Sequence, residues 1–269
     1  MGHLRLKALQ LWATNLYKPN QFNRLFFLEF QMTQMIADGA AVSYGDDRLV
    51  VFFSSRGAYR KGTFDCTDFS KDMPYSKLFL RDEAKDYFYH NGIPGLTNSM
   101  DENVEFLRYF IGKTKPSRVT FIGASLGAYG ALVMGHLIGV DDIHLVSLVS
   151  YLDKESGGDP ENSQLWEGVF EPVTGLFQER GFDPKYLNSR NIVEENLGKV
   201  RVVRQHVATS EPVDMNHAAL NRDFPHVETI THDRGRHGTI VAGLMRSGSL
   251  AADLATPIED LERPLAAAS

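Results

Sequence analysis

The feature that constrains this chain most is Gly123-Ala124-Ser125-Leu126-Gly127, a G-x-S-x-G sequence placed directly after a strand-like run (RVTFI) and directly before a helix-like run (LGAYGALVMGHLI). A turn from strand to helix this tight leaves no room for side chains two residues before and two after the serine. Gly123 and Gly127 meet that demand. The serine then projects from the end of a sheet at the first turn of a helix, where backbone N–H groups and the positive end of the dipole favour a developing negative charge. The competing reading, a nucleotide-binding glycine turn, fails. Ser125 and Ala128 stand where G-x-G-x-x-G needs glycine, and no G-x-x-x-x-G-K-[ST] exists.

The rest of the chain alternates strands and helices. Short β-branched and aromatic runs bounded by turn residues predict strands at 49–54, 77–80, 118–122, 143–149, 200–208 and 226–231. Several are nearly continuous apolar runs, as expected of strands covered on both faces in a mainly parallel sheet. Helical spacing predicts helices at 100–112 and 126–138, with shorter ones at 214–222 and 239–246. Right-handed crossovers then give a doubly wound α/β sheet. The stretch 153–195 breaks the rhythm. It opens polar and Gly-rich, continues with aromatic and helical pieces around Trp166, Phe170 and Phe177, and reads as an insertion, either a lid or helices packed at the sheet edge.

A serine hydroxyl needs a base within hydrogen-bond reach, itself oriented by a carboxylate. Two downstream strands run into loops that carry such groups: Thr209 to Asp214, and His232 to Gly238. Both loops leave the carboxyl ends of strands, where open α/β sheets hold their sites. Asp214 is the expected acid, with Glu211 in the same loop as the alternative. His237 is the expected base, ahead of His232, His217 and His226. Oxyanion donors are expected from the N–H of Leu126 and from that of Ser54 or Ser55, in the loop after the strand at 49–54.

In this order, strand, turn, helix, acid loop and histidine loop resemble the α/β-hydrolase superfamily over residues 49–246. The resemblance implies one domain over 1–269, with an eight-stranded, mostly parallel sheet flanked by helices. It also implies acyl transfer through an acyl-serine: hydrolysis of a carboxylic ester or thioester, with no cofactor and no metal. A narrower resemblance, to hydrolase-fold proteins of bacterial surface-polysaccharide and glycoprotein export systems, is carried by FFSSRG, by Leu78-Phe79-Leu80-Arg81-Asp82 with Tyr87-Phe88-Tyr89 and Gly92, and by GASLGAYGAL. It implies a carbohydrate O-acyl substrate, an O-acyltransferase or acetyl-esterase, or a catalytically silent accessory protein. The chain lacks an HGGG-type oxyanion segment and so departs from the hormone-sensitive-lipase-like group. Asp82, Tyr87 and the loop arginines Arg56, Arg234 and Arg236 are candidate substrate contacts, the arginines suiting a carboxylate or phosphate.

Composition narrows the partners. Lys and Arg number 28 against 34 Asp and Glu, a formal charge of −6 with neither sign in long blocks, which argues against a nucleic-acid or anionic-membrane partner. A single cysteine, Cys66, excludes an internal disulfide or a cysteine-based metal cluster and points to a reducing, cytoplasmic compartment. Among neighbouring carboxylates it is expected to be a structural or incidental residue. The basic start, Met1 to Lys7, meets Asn15, Lys18 and Pro19 without a cleavage site, so no signal peptide is expected. No apolar run reaches the roughly 18 to 20 residues of a bilayer span.

Overall fold

Residues 48–53, RLVVFF, show how the sheet is built: Leu49, Val51 and Phe53 enter one apolar cluster while Val50 and Phe52 enter another on the opposite face. The strand is buried on both sides, which is why its apolar run is continuous rather than alternating. The structure is a computed structural model that describes residues 33–82, 87–153 and 160–261. The readings made for Met1 to Pro19 and for 154–159 lie outside the described residues.

Eight strands form one sheet: β1 (Gln34–Ala37), β2 (Ala40–Ser43), β3 (Arg48–Phe53), β4 (Ser76–Leu80), β5 (Arg118–Ala124), β6 (Asp142–Val146), β7 (Val202–Ala208) and β8 (Val227–His232). Their spatial order is β1-β2-β4-β3-β5-β6-β7-β8. Strand β2 pairs antiparallel with β1 and with β4, and every other pairing is parallel. The eight-stranded, mostly parallel sheet is therefore as expected. Residue patterning had predicted six of these strands and passed over β1 and β2. The run expected at 143–149 stops at Val146, because Ser147 turns the chain at φ 49°.

The helices are α1 (Arg56–Lys61), α2 (Thr67–Ser70), α3 (Met100–Thr114), α4 (Leu126–Ile138), α5 (Pro160–Arg180), α6 (Ser189–Glu195), α7 (Pro212–Ala219), α8 (Ile240–Ser247), α9 (Ser249–Ala255) and α10 (Ile258–Leu261). Helix α4 is buried from Leu126 to His136 and packs with α3, α5 and α6 on one face of the sheet. Helices α8 and α9 cover the other face through Ile240, Leu244, Leu250 and Leu254. Segment 153–195 supplies α5, a 3-10 turn (Pro184–Leu187) and α6 between β6 and β7. Its Phe170, Val173 and Phe177 join the α4-side core. No helix among the described residues is long and apolar enough to cross a membrane.

Candidate active site

Strand β5 ends in a turn that explains both flanking glycines. A Cβ on Gly123 would lie 2.2 Å from the carbonyl oxygen of Gly127, and a Cβ on Gly127 would lie 2.1 Å from that of Phe53. The first turn of α4 thus sits against the end of β3, and only glycine permits the approach. Ser125 itself takes φ 54°, ψ −120°, a conformation rare for any residue with a side chain. It is pinned by its N–H donating to Val146 O at 2.9 Å, at the end of the neighbouring β6.

The turn holds the hydroxyl toward the loop after β8. Ser125 Oγ lies 2.8 Å from His237 Nε2, and His237 Nδ1 lies 2.6 Å from Asp214 Oδ1. With an ionised carboxylate as acceptor, Nδ1–H donates to Asp214, so Nε2 is left to accept from the serine. Asp214 is buried on the first turn of α7, while the His237 side chain stays 23% exposed. Of the residues weighed against these two, Glu211 is the N-cap of α7 and His232 faces His206, with 3.1 Å between Nε2 and Nδ1. His226 pairs with His136.

His217, which sequence reasoning weighed only as a base, stands behind the carboxylate. Its Nδ1 accepts the backbone N–H of Ser150 at 3.0 Å, so the neutral ring carries its proton on Nε2. Burial pushes its pKa down to about 3, against the pull of Asp214. Both His217 Nε2 and Asp214 Oδ2 are buried without a hydrogen-bond partner. The one sequence cue was their i, i+3 spacing, which puts both on one face of a helix.

The backbone donors expected for an oxyanion have other partners in the structure. Ser54 N–H donates to Leu80 O at 2.8 Å and Ser55 N–H to Asp65 Oδ2 at 2.7 Å, so neither is presented to the serine in this conformation. Leu126 opens α4, and its N–H has no carbonyl within the helix to meet. Asp65 went unnoticed in the sequence because the partner of a backbone N–H ten residues away leaves no local pattern.

A cavity of about 350 Å³ is lined by Gly123 and Ala124, which precede the serine, and by Gly238, which follows His237, but not by Ser125 or His237 themselves. Its walls are apolar at Phe53, Ile122, Val146 and Met245, and Lys61 and Asp65 give it charge. None of the five candidate substrate contacts lines it. Asp82 is buried, Arg56 opens α1, Tyr87 is half-buried, and Arg234 and Arg236 are exposed on the histidine loop. Arg234 lines a separate cavity with Arg246 and Ser249. Phe88 and Tyr89, next to Tyr87, are core residues, Tyr89 Oη donating to Ser54 O at 3.0 Å. Burial, helped by Asp65, pushes the Cys66 thiol well above its ordinary range.

Comparison with solved structures supplies the name of the fold. The chain is similar to a variant of the capsule O-acetyltransferase of Neisseria meningitidis serogroup A in complex with CoA, at TM-score 0.61 and 12% identity, covering 89% of this chain and 99% of that one. It is similar to the esterase LipW of Mycobacterium marinum, at TM-score 0.55 and 14% identity, covering 81% and 77%. A carboxylesterase structure from the thaumarchaeon Nitrososphaera gargenis matches at TM-score 0.52 and 12% identity, covering 84% and 98%. The protein has the α/β-hydrolase fold. No family model and no curated protein matches the chain. Identities this low speak to the fold alone, and the surface-polysaccharide resemblance has its structural counterpart in the capsule enzyme.

Proposed function

We propose that this α/β-hydrolase-fold protein is a serine hydrolase cleaving a carboxylic ester or thioester through an acyl-serine at Ser125. The observation that carries the reading is His237, hydrogen-bonded at once to Ser125 Oγ and Asp214 Oδ1. His237 Nε2 takes the hydroxyl proton as Oγ attacks the carbonyl carbon. Asp214 holds the imidazolium that forms, and Leu126 N–H faces the oxyanion. Collapse of the tetrahedral adduct breaks the bond to the leaving group, which receives the proton from His237. Water then repeats the sequence and frees the acid. Ser55 N–H supplies a second donor once Asp65 releases it, and the cavity of about 350 Å³ takes the acyl chain.

Transfer to a sugar hydroxyl in place of water is the second reading, favoured by the similarity to the capsule O-acetyltransferase. Fluorophosphonate labelling of wild type and Ser125→Ala, read by intact mass, tests both. Labelling of wild type alone is expected, followed by p-nitrophenyl ester turnover with a preference for short acyl chains. Turnover that rises only when a hydroxyl acceptor is added selects transfer. Absence of labelling in folded wild type overturns both in favour of a silent accessory protein.

A further inference from the structure

On the sheet face opposite α4, strands β6 and β7 set polar side chains where a core would place apolar ones. Asp142 and His144 of β6 and Arg204 and His206 of β7 lie beneath α9, which brings Asp253 onto them. The side chains of His144 and His206 are 0% and 2% exposed, and that of Asp253 is 20% exposed.

Each ring is held by its outer nitrogen. His144 Nε2 lies 3.0 Å from Asp142 Oδ2, and Asp142 is gripped by Arg118 Nε and Nη2, both at 2.8 Å, and by Thr120 Oγ1 at 3.0 Å. With Arg118 Nε, Arg118 Nη2 and Thr120 Oγ1 all donating to it, Asp142 accepts from His144 Nε2–H, which leaves the His144 lone pair on Nδ1. His206 Nδ1 faces His232 Nε2 at 3.1 Å, which leaves Nε2 to point inward. The inward His144 Nδ1 is buried without a hydrogen-bond partner, and the inward His206 Nε2 meets only Asp253. Asp253 uses Oδ1 for Arg204 Nη1 at 2.9 Å and aims Oδ2 at His206 Nε2, 3.4 Å away.

We infer that His144 Nδ1, His206 Nε2 and Asp253 Oδ2 form a site for one divalent transition-metal ion of the zinc class, a water completing the coordination. The three atoms lie within 4.8 Å of one another. Zinc bonds of about 2.0–2.1 Å set neighbouring ligand atoms about 3.4 Å apart in a tetrahedron. The His206–Asp253 pair already has that edge, and the remaining ligand has no more than about 1.5 Å to close. Two imidazoles select a zinc-like ion over magnesium or calcium. Asp142 behind His144 is the carboxylate that such a ligand ordinarily leans on. The nearby guanidiniums do not repel the ion unopposed. Arg118 is held by Asp142, and Arg204 is shared between Asp253 and Glu228, so three carboxylates face two cations. The ligands come from three separate elements, which is why no spacing in the sequence announced them. The ion would tie α9 to the sheet, and nothing in this depends on the Ser125 chemistry.

The test uses the untagged full chain, stripped with chelator, desalted and titrated with Zn²⁺ alone. One ion per chain, a melting temperature raised by several degrees, and strong visible absorption with Co²⁺ in its place are expected. His144→Gln and Asp253→Asn should each weaken Zn²⁺ binding at least about tenfold. Asp253→Asn keeps the shape of a partly exposed side chain, and its metal-free melting temperature checks that the fold is intact. Wild type that binds no Zn²⁺, or folded Asp253→Asn that binds it as tightly as wild type, overturns the site.

Discussion

The two oxygens of Asp214 are placed differently. Its Oδ1 faces His237 at 2.6 Å, while its Oδ2 is buried without a hydrogen-bond partner. Removing the carboxylate should act on chemistry: Asp214→Ala is expected to lower ester turnover on the order of 10³- to 10⁴-fold with folding intact. Glu211→Ala should stay within about twofold of wild type, since Glu211 only opens α7. A dead Glu211→Ala beside an active Asp214→Ala would reverse the assignment. His217 should act on stability instead. His217→Ala strands the buried N–H of Ser150, at about 1–3 kcal/mol, and leaves a cavity besides. His217→Asn returns an acceptor near Nδ1 and should recover part of that loss in urea unfolding. Equal loss in the two variants would show that the hydrogen bond contributes nothing. The sequence pointed to Ser125, Asp214 and His237, because a G-x-S-x-G turn and two loops at strand ends are local patterns. It did not show that Asp65 takes the Ser55 N–H, since hydrogen-bond partners across a loop are chosen in three dimensions.

Strands differ in how much of themselves they write into the chain. β3 and β5 are buried at nearly every position and so read as largely apolar runs, whereas β7 is equally buried but carries Arg204, Gln205 and His206 at its centre. β1 and β2 are four residues each, QMIA and AAVS, with little of the β-branched and aromatic content that marks a strand. They exist because β4 offers its edge to β2, a fact of the assembled sheet. The two-residue turn Asp38-Gly39 between them was the one local cue. Segment 153–195 was legible as an insertion but not in how it sits. In α5, Phe170, Val173, Leu176 and Phe177 are buried at helical spacing, and the Phe177 ring meets His90 at 4.6 Å and Phe182 at 5.6 Å between centroids. A helix packed this way belongs to the folding unit. Phe177→Ala is accordingly expected to lower unfolding free energy by about 3 kcal/mol in denaturant titration. A lid that opens freely would instead leave stability within about 0.5 kcal/mol of wild type while changing turnover.

At the scale of the molecule, acid should unfold this protein through its histidines before its carboxylates. Burial pushes His90 and His217 down to about 3 and His136 to about 4. They stand in different parts of the core: His90 against Tyr129 and Phe177, His217 behind Asp214, and His136 inside α4. The folded chain keeps all three neutral at pH 5, whereas the unfolded chain, with histidines near 6.5, has protonated them. Unfolding therefore takes up protons between pH 6.5 and about 4, and stability in that window rises with pH and is lost as pH falls. Each proton is worth about 1.4 kcal/mol per pH unit, so the slope approaches about 4 kcal/mol per unit near pH 5. Asp142, held at about 2 against burial by Arg118 and His144, adds loss in the same direction but only below the ordinary carboxylate range. Urea unfolding at pH 7, 6 and 5, on chelator-treated protein so that a bound ion does not mask the slope, should show a shallow fall over the first step and a steep one over the second. A profile flat from pH 7 to 5 would mean that these rings gain protons in the folded state, and that water reaches them in the core.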